Sequence, residues 1–231
     1  LVDAAHPFAI QLHQTVEKVA HTLNLLVIRF ERIYPPRDEE HIIWCEDFED
    51  AIRQIRKEDI FTLLALTGVQ SIAKLKPLWQ ESACCYFRIL NRESSRRLAE
   101  REGFPEKYLH YYHAGEDERI LLQRLHPEAI LIKESGLSGG FNEKVEAALQ
   151  EGIRIFAIRR PPMPGSFMIV NGEHGLRRMI EKHLPDFYPL RSGLTTGTCA
   201  AAAAVAATWD IFNVQRQSRP EEFPVILPNG E

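Results

Sequence analysis

The fold is decided by residues 41–66, HIIWCEDFEDAIRQIRKEDIFTLLAL, in which two apolar runs flank an amphipathic segment. His41 to Cys45 and Ile60 to Leu66 are typical of buried strands, because each is a short run rich in β-branched and aromatic residues. Between them, Asp47 to Lys57 carries apolar residues at helical spacing. This order predicts two parallel strands joined by a crossover helix.

The same alternation continues on both sides of this unit. Further strands are predicted at 25–30, 83–90, 107–112, 129–132 and 153–158, and further helices at 7–24, 71–78, 92–102, 117–125 and 142–151. The fold class is therefore α/β, with two-domain Rossmann-like parallel sheets, of which the first is truncated, followed by the beginning of a further domain. In such folds, ligands bind at the carboxyl ends of the strands.

Breaks in the pattern indicate the domain boundaries. Two prolines in Tyr34 to Asp38 stiffen the chain between strands, and the alternation stops at Leu184 to Leu190. We expect domains at 1–34 and 35–184, a linker at 185–191, and the start of another domain at 192–231. The strand Leu1 to Asp3 opens the sequence without an initiator Met or a preceding element, so we expect the chain to be a fragment.

Composition narrows the classes of partner. The 231 residues carry a net charge of -4, whereas nucleic-acid binders usually show a basic patch. No apolar run reaches the roughly 18–20 residues that span a bilayer, and the start lacks the features of a signal peptide. The four cysteines have no metal-binding spacing. We therefore expect a cytoplasmic protein with buried thiols, no protein metal site, and neither nucleic acid nor membrane as a partner.

Four segments at predicted strand ends carry the candidate chemistry, and we expect them to meet in one cleft. They are Asp3 to Ala9, Thr67-Gly68, Lys133 to Lys144 and Arg159-Arg160. In Lys133 to Lys144, glycines allow a close approach of the backbone, and free amides at the next helix start attract phosphate or carboxylate. The alternative is an ordinary connection in which Asn142 caps the helix.

Three side chains of these segments have two interpretations each. His6 could donate a hydrogen bond or a proton near neutral pH, or it could simply begin a helix before Pro7. Arg159 and Arg160 could bind substrate carboxylates in a bidentate manner, or they could form a solvated basic turn.

Two motifs resemble one family. Asp3-Ala-Ala-His-Pro-Phe-Ala9 resembles the Asp-Ala-Thr-His-Pro-Phe-Ala signature of precorrin-6A reductases. Ile132 to Gly136, Gly139-Gly140, Glu143-Lys144 and Arg159-Arg160-Pro161 resemble a later segment of the same family. The resemblance covers residues 1 to about 185, and its two-domain α/β form agrees with the predicted order of strands and helices.

The resemblance implies reduction of one ring double bond of precorrin-6A, or of its cobalt complex, by hydride from NADPH in cobalamin biosynthesis. It implies that residues 1–34 are what remains of an NADPH-binding domain, because the family's Gly-Thr-rich phosphate turn does not appear in the sequence. The reaction also requires a proton, for which His6, as the catalytic candidate, or a water is the expected donor. NADPH would contact Asp3, Ala4, Pro7 and Phe8. The carboxylates of the tetrapyrrole would be bound by Lys133, Ser135, Gly136, Gly139, Gly140, Arg159 and Arg160.

A second resemblance begins after the linker. Thr195-Thr196-Gly197-Thr198-Cys199, followed by an alanine run, resembles the opening of cobalt-precorrin-5B C1-methyltransferases, although Leu194 stands where Tyr is common. Phe223 to Glu231 resembles the first strand of that family and its Pro-Asn-Gly-Glu turn. This implies an incomplete S-adenosylmethionine-dependent domain. Composition alone favours a capped, tightly packed alanine helix over an anion site at this Thr/Gly turn.

Together, the two resemblances point to neighbouring steps of one pathway. They imply a fusion of the two enzymes, possible contact with other corrin-pathway enzymes, and a cobalt-containing substrate. Two other hypotheses remain open: a decayed docking module attached to the methyltransferase, and a non-catalytic α/β protein that binds a tetrapyrrole or another anionic metabolite.

Overall fold

The computed structural model describes residues 1–81, 83–113, 115–188 and 203–208. The chain divides into two compact units, Leu1–Gly172 and Glu173–Glu231. The strands are β1 (Val2–Asp3), β2 (Ile28–Glu31), β3 (Ile42–Cys45), β4 (Thr62–Ala65), β5 (Cys84–Leu90), β6 (Leu109–Tyr112), β7 (Ala129–Lys133), β8 (Arg154–Ile158) and β9 (Met168–Asn171). The α-helices are α1 (Ile10–Thr22), α2 (Phe48–Lys57), α3 (Ser71–Lys74), α4 (Lys76–Trp79), α5 (Glu93–Arg101), α6 (Glu118–Leu125), α7 (Phe141–Gln150) and α8 (Gly172–His183).

A six-stranded parallel sheet forms the centre of the first unit, in the order β3-β8-β7-β4-β5-β6. All of its pairings are parallel, so the predicted α/β class is confirmed. The chain leaves β4 toward β5 on one side and leaves β7 toward β8 on the other. The carboxyl ends of β4 and β7 therefore form the topological switch point at which ligands bind in such sheets.

Alternating side chains of this sheet enter two separate cores. Leu63 and Leu131 point to one face, where they pack with residues of α2, α3, α4 and α5. Leu64 and Ile130 point to the other face and pack with residues of α6 and α7. All four side chains are completely buried, which explains why the sequence shows continuous apolar runs here instead of strict alternation.

A smaller parallel sheet has the order β1-β2-β9. Met168–Asn171 is predicted to lie inside the domain 35–184, but its residues pair with Ile28–Glu31 of the predicted domain 1–34. The strand is short and mostly accessible to solvent, so its residues give only a weak strand pattern. The chain thus returns to the smaller sheet after completing the larger one.

Helix bounds differ from the predicted ones where the backbone is constrained. The predicted helix 71–78 is divided into α3 and α4 at Leu75, because Pro77 cannot donate the amide hydrogen bond that a continuous helix needs. α1 begins at Ile10, three residues after the predicted start at Pro7. In the second unit, the described residues 203–208 are helical and fall within the predicted alanine helix.

Candidate functional site

A cleft of about 450 Å³ opens at the switch point of the larger sheet. Thr67 and Gly68 follow β4, and Lys133 is the last residue of β7. The loop between β1 and α1 forms the facing wall of the cleft. The lining residues are His6, Phe8, Ala9, Leu66, Thr67, Gly68, Val69, Gln70, Leu90, Lys133, Ser135, Gly139 and Lys144. Three of the four predicted segments therefore meet in one place.

Lys133 connects the walls of this cleft. Its Nζ donates a hydrogen bond to the carbonyl of Thr67 at 2.8 Å and lies 5.3 Å from the centroid of the Phe8 ring. Burial, together with the positive charge of Lys74, lowers the pKa of the Lys133 ammonium to about 8. This side chain is thus a cation at neutral pH, and its pKa is close enough to neutral pH for it to release a proton.

His6 lies at the mouth of the cleft, where part of the residue is exposed to solvent and part of its ring is desolvated. Its Nδ1 accepts a hydrogen bond from the Phe8 amide at 3.2 Å, so the proton of the neutral ring is on Nε2. Desolvation of the ring, together with the charges of Arg32 and Lys133, lowers the pKa of His6 to about 4. At neutral pH, His6 is therefore an uncharged hydrogen-bond donor and a poor source of a proton.

In the loop between β7 and α7, several backbone amides and carbonyls that precede the helix are already hydrogen-bonded within the chain. The amides of Leu137, Gly139 and Gly140 already donate to carbonyls within the chain. The carbonyl oxygens of Gly139 and Gly140 accept hydrogen bonds from Nζ of Lys144, at 3.1 Å and 2.6 Å. Positive charge at this end of the cleft is thus supplied by the Lys144 ammonium.

Two residues of the same loop hold it in shape. Ser135 donates from Oγ to the Gly139 carbonyl at 3.2 Å, and its own carbonyl accepts from Arg32 at 2.8 Å. Gly136 has a φ of +73°, and a Cβ there would lie 2.8 Å from the carbonyl oxygen of Ile33. These contacts attach the loop to the segment that follows β2. Asn142 is the second residue of α7 and does not cap it, since the N-cap is Gly140.

Arg159 and Arg160 do not act as a pair. Arg159 lines a smaller cleft of about 180 Å³, where its Nη1 donates to Glu46 at 2.8 Å. The guanidinium of Arg160 lies 3.6 Å from the centroid of the Tyr34 ring, and its amide donates to the buried carboxylate of Glu134 at 2.9 Å. Arg160 lines neither cleft, so the structure favours Arg159 over Arg160 for contact with a ligand.

The four predicted cofactor residues differ in position. Asp3 is buried, with its Oδ2 at 3.2 Å from Arg29 and 2.9 Å from Nδ1 of His13, so its carboxylate has partners within the chain. Pro7 is buried as well, while Ala4 is exposed. Phe8 lines both clefts. The structure therefore gives Asp3 a structural role and leaves Phe8 as the member of this set that lines the site.

Several residues near the site are missing from the sequence-based set. Arg29 is a charged residue within the apolar run 25–30, and a charge in such a run indicates a buried partner of opposite charge. Lys144 belongs to the Glu143-Lys144 motif, but the sequence does not show that this residue lines the cleft. Lys74 lies on α3, immediately after the switch-point loop, and lines the smaller cleft beside Phe8 and Lys133.

In the part of the chain that the structure describes, no group of three or more His, Cys, Asp or Glu side chains could hold a metal ion. No helix in the same ranges is long and apolar enough to cross a membrane. Thr195 to Cys199 lies outside the described residues, as does Phe223 to Glu231.

Comparison with known proteins gives matches over both parts of the chain. The family described as "Precorrin-6x reductase CbiJ/CobK" matches residues 1–179, and the family described as "CbiD" matches residues 184–231. The cobalt-precorrin-6A reductase of Methanocaldococcus jannaschii is 30% identical over 165 residues, which cover 70% of this chain and 64% of that protein. The precorrin-6A reductase of Rhodococcus erythropolis is 31% identical over 170 residues, 71% of this chain and 64% of that protein.

A solved structure confirms the fold. "CobK precorrin-6A reductase" superposes with a TM-score of 0.62 at 18% identity, and the match covers 79% of this chain and 70% of that one. The chain spans 64% of the length of each of the two curated relatives named above.

Proposed function

The chain belongs to the precorrin-6x reductase CbiJ/CobK family over residues 1–179, and from this membership we propose that the protein takes part in the NADPH-dependent reduction of precorrin-6A, or its cobalt complex, to the corresponding precorrin-6B. The observation that carries the proposal is the position of Lys133, a half-buried cation at the switch point of the larger sheet. A substrate rich in carboxylates fits a cleft whose charged lining comprises Lys133 and Lys144.

NADPH, when bound, would supply the hydride. Of the residues expected to meet it, Phe8 offers an aromatic face in the cleft, and His6 offers a neutral Nε2–H donor at its mouth. These groups fit an uncharged aromatic end of a dinucleotide. The buried Asp3 and Pro7 support the loop that carries them, with Asp3 Oδ1 accepting from the Ala5 amide at 2.9 Å.

The proton that must accompany the hydride has two possible sources at this site. Lys133, with a pKa of about 8, is charged at neutral pH and can donate a proton directly or through water. His6, with a pKa of about 4, holds almost no proton to give under the same conditions. We therefore assign His6 to orientation of a bound group by hydrogen bonding, which revises its predicted role as the acid.

The match of residues 184–231 to the CbiD family supports a second part of the proposal. We infer that the native polypeptide joins the reductase to a cobalt-precorrin-5B C1-methyltransferase that uses S-adenosylmethionine. This pairing favours the cobalt-containing tetrapyrrole as the reductase substrate. Thr195 to Cys199 would then belong to the methyltransferase, and the proposed domain boundaries at 184 and 191 separate the two enzymes.

Replacing Lys133 by Ala in the native-length protein tests the site. Loss of a charge-assisted contact should raise the KM for cobalt-precorrin-6A by roughly tenfold or more, and loss of the proton source should lower kcat, while the Kd for NADPH changes little. Lys57→Ala, an exposed position at the last turn of α2, is the matched control. Equal losses for substrate and NADPH would contradict the assignment of Lys133 to the tetrapyrrole.

A further inference from the structure

The smaller cleft brings a second lysine close to Lys133. Lys74, the last residue of α3, places its Nζ 4.7 Å from the centroid of the Phe48 ring. The Nζ of Lys133 lies 5.6 Å from the centroid of the same ring. Phe8, Gln70 and Lys133 line both clefts, so the two spaces adjoin along the carboxyl edge of the sheet.

Neither ammonium is neutralised by an acid of the described ranges. No carboxylate there lies within 4.0 Å of Lys74 or Lys133, whereas Arg159 in the same cleft pairs with Glu46 at 2.8 Å. Lys133 uses one hydrogen on the Thr67 carbonyl, which leaves two further donors. Two like charges at one ring repel each other, and an anion that contacts both would relieve that repulsion.

We propose that Lys74 and Lys133 together form one carboxylate subsite, which receives a side-chain carboxylate of the tetrapyrrole in the smaller cleft while the macrocycle occupies the larger one. The inference rests on the proposed function for the identity of the ligand. It adds Lys74, a residue that neither motif contains, and it predicts that the two lysines act on the same anion.

The charged and titratable groups around Lys133 set the pH dependence of this subsite. In the larger cleft these are His6 and Lys144, and in the smaller cleft they are Glu46, Asp47, Lys74 and Arg159. The two acids are already engaged, Glu46 by Arg159 and Asp47 by the Asp50 amide at 2.8 Å. Affinity for a carboxylate should therefore fall as the pH rises through about 8, when Lys133 loses its charge.

A double-mutant cycle on the native-length protein tests the proposal. Uroporphyrin serves as the tetrapyrrole polycarboxylate, with binding measured from its fluorescence, and tricarballylate serves as a small polycarboxylate, measured by calorimetry. The variants are Lys74→Gln, Lys133→Gln, the double variant, Lys74→Arg and the control Lys57→Gln. Thermal melting of each variant confirms that it is folded.

The expected result is a loss of about tenfold in affinity for each single glutamine variant, since one charge-assisted bond is removed. The double variant should lose much less than the product of the single losses, because both lysines bind one anion. Lys74→Arg should restore binding and Lys57→Gln should not alter it. In Lys74→Gln the loss of affinity at alkaline pH should move to higher pH, because one repulsive charge is gone.

Unchanged affinity in Lys74→Gln, or fully additive losses, would overturn the shared subsite. If wild type nevertheless reduces cobalt-precorrin-6A, the proposed function survives that result. If the coupled pattern appears with tricarballylate while uroporphyrin does not bind, the carboxylate subsite stands and the proposed tetrapyrrole substrate is wrong.

Discussion

Arg29→Ala should destabilise the first unit strongly, because Arg29 is 0% exposed and carries charge. Its Nη1 donates to Asp3 at 3.2 Å and to the Ala5 carbonyl at 2.8 Å, while Nε and Nη2 donate to Glu31 at 3.3 and 3.2 Å. Removing one partner leaves buried carboxylates uncompensated, which costs about 3–5 kcal/mol. For a unit of this size, that corresponds to a decrease of roughly 6–20 °C in Tm.

Urea unfolding followed by circular dichroism measures the free energy of unfolding, and thermal melting provides Tm. Arg97→Ala is the matched control, because its side chain is 76% exposed and pairs with Glu93 on the surface of α5. That variant should stay within about 0.5 kcal/mol of wild type. If Arg29→Ala loses less than about 1 kcal/mol, a value expected for a neutral hydrogen bond, then the buried ion network does not hold the site loop in place.

Three further predictions concern the pH dependence of stability, the backbone conformation at Gly136 and the reactivity of the buried thiols. Burial opposes the ionisation of Glu31, but charge-assisted hydrogen bonds outweigh it and hold its pKa below 4.5; the stability that it contributes should be complete above pH 4.5 and disappear as the pH falls further, which urea titrations across acid pH would detect. Gly136→Ala should cost more stability in urea unfolding than Gly152→Ala, because both have a positive φ but only at Gly136 would a Cβ meet a carbonyl oxygen at 2.8 Å; equal losses would show that this contact is easily relieved. Burial raises the pKa of the Cys45 and Cys85 thiols to about 12, so neither should react with iodoacetamide until urea unfolds the protein, and mass spectrometry showing labelling of the native protein would contradict that.

The sequence predicts the larger sheet well because its strands are buried on both faces. Leu63, Leu64, Ile130 and Leu131 belong to apolar runs that no solvent-exposed strand would need, and each is 0% exposed. β9 is harder to recognise, since its residues are largely exposed and its partner β2 lies more than a hundred residues earlier. Local periodicity in the sequence cannot reveal a pairing between strands that are so far apart along the chain.

At the site, residue type and strand position identify Lys133, His6 and Phe8, because the carboxyl ends of parallel strands meet at one edge. Protonation is not predictable in the same way. The pKa of His6 depends on the desolvation of its ring and on charges contributed by Arg32 and Lys133, which meet only in the fold. Motif analysis likewise does not identify Lys74, because its place in the proposed subsite depends on its distance to Phe48, which only the fold determines.

The most direct test of the central claim is the oxidation of NADPH by the native-length protein with cobalt-precorrin-6A as substrate, followed by absorbance and by the mass of the product. We predict that NADPH is consumed only when the tetrapyrrole is present, and that the product gains two hydrogen atoms for each NADPH oxidised. Binding of the tetrapyrrole without any consumption of NADPH would contradict the reductase assignment and favour a non-catalytic binding protein.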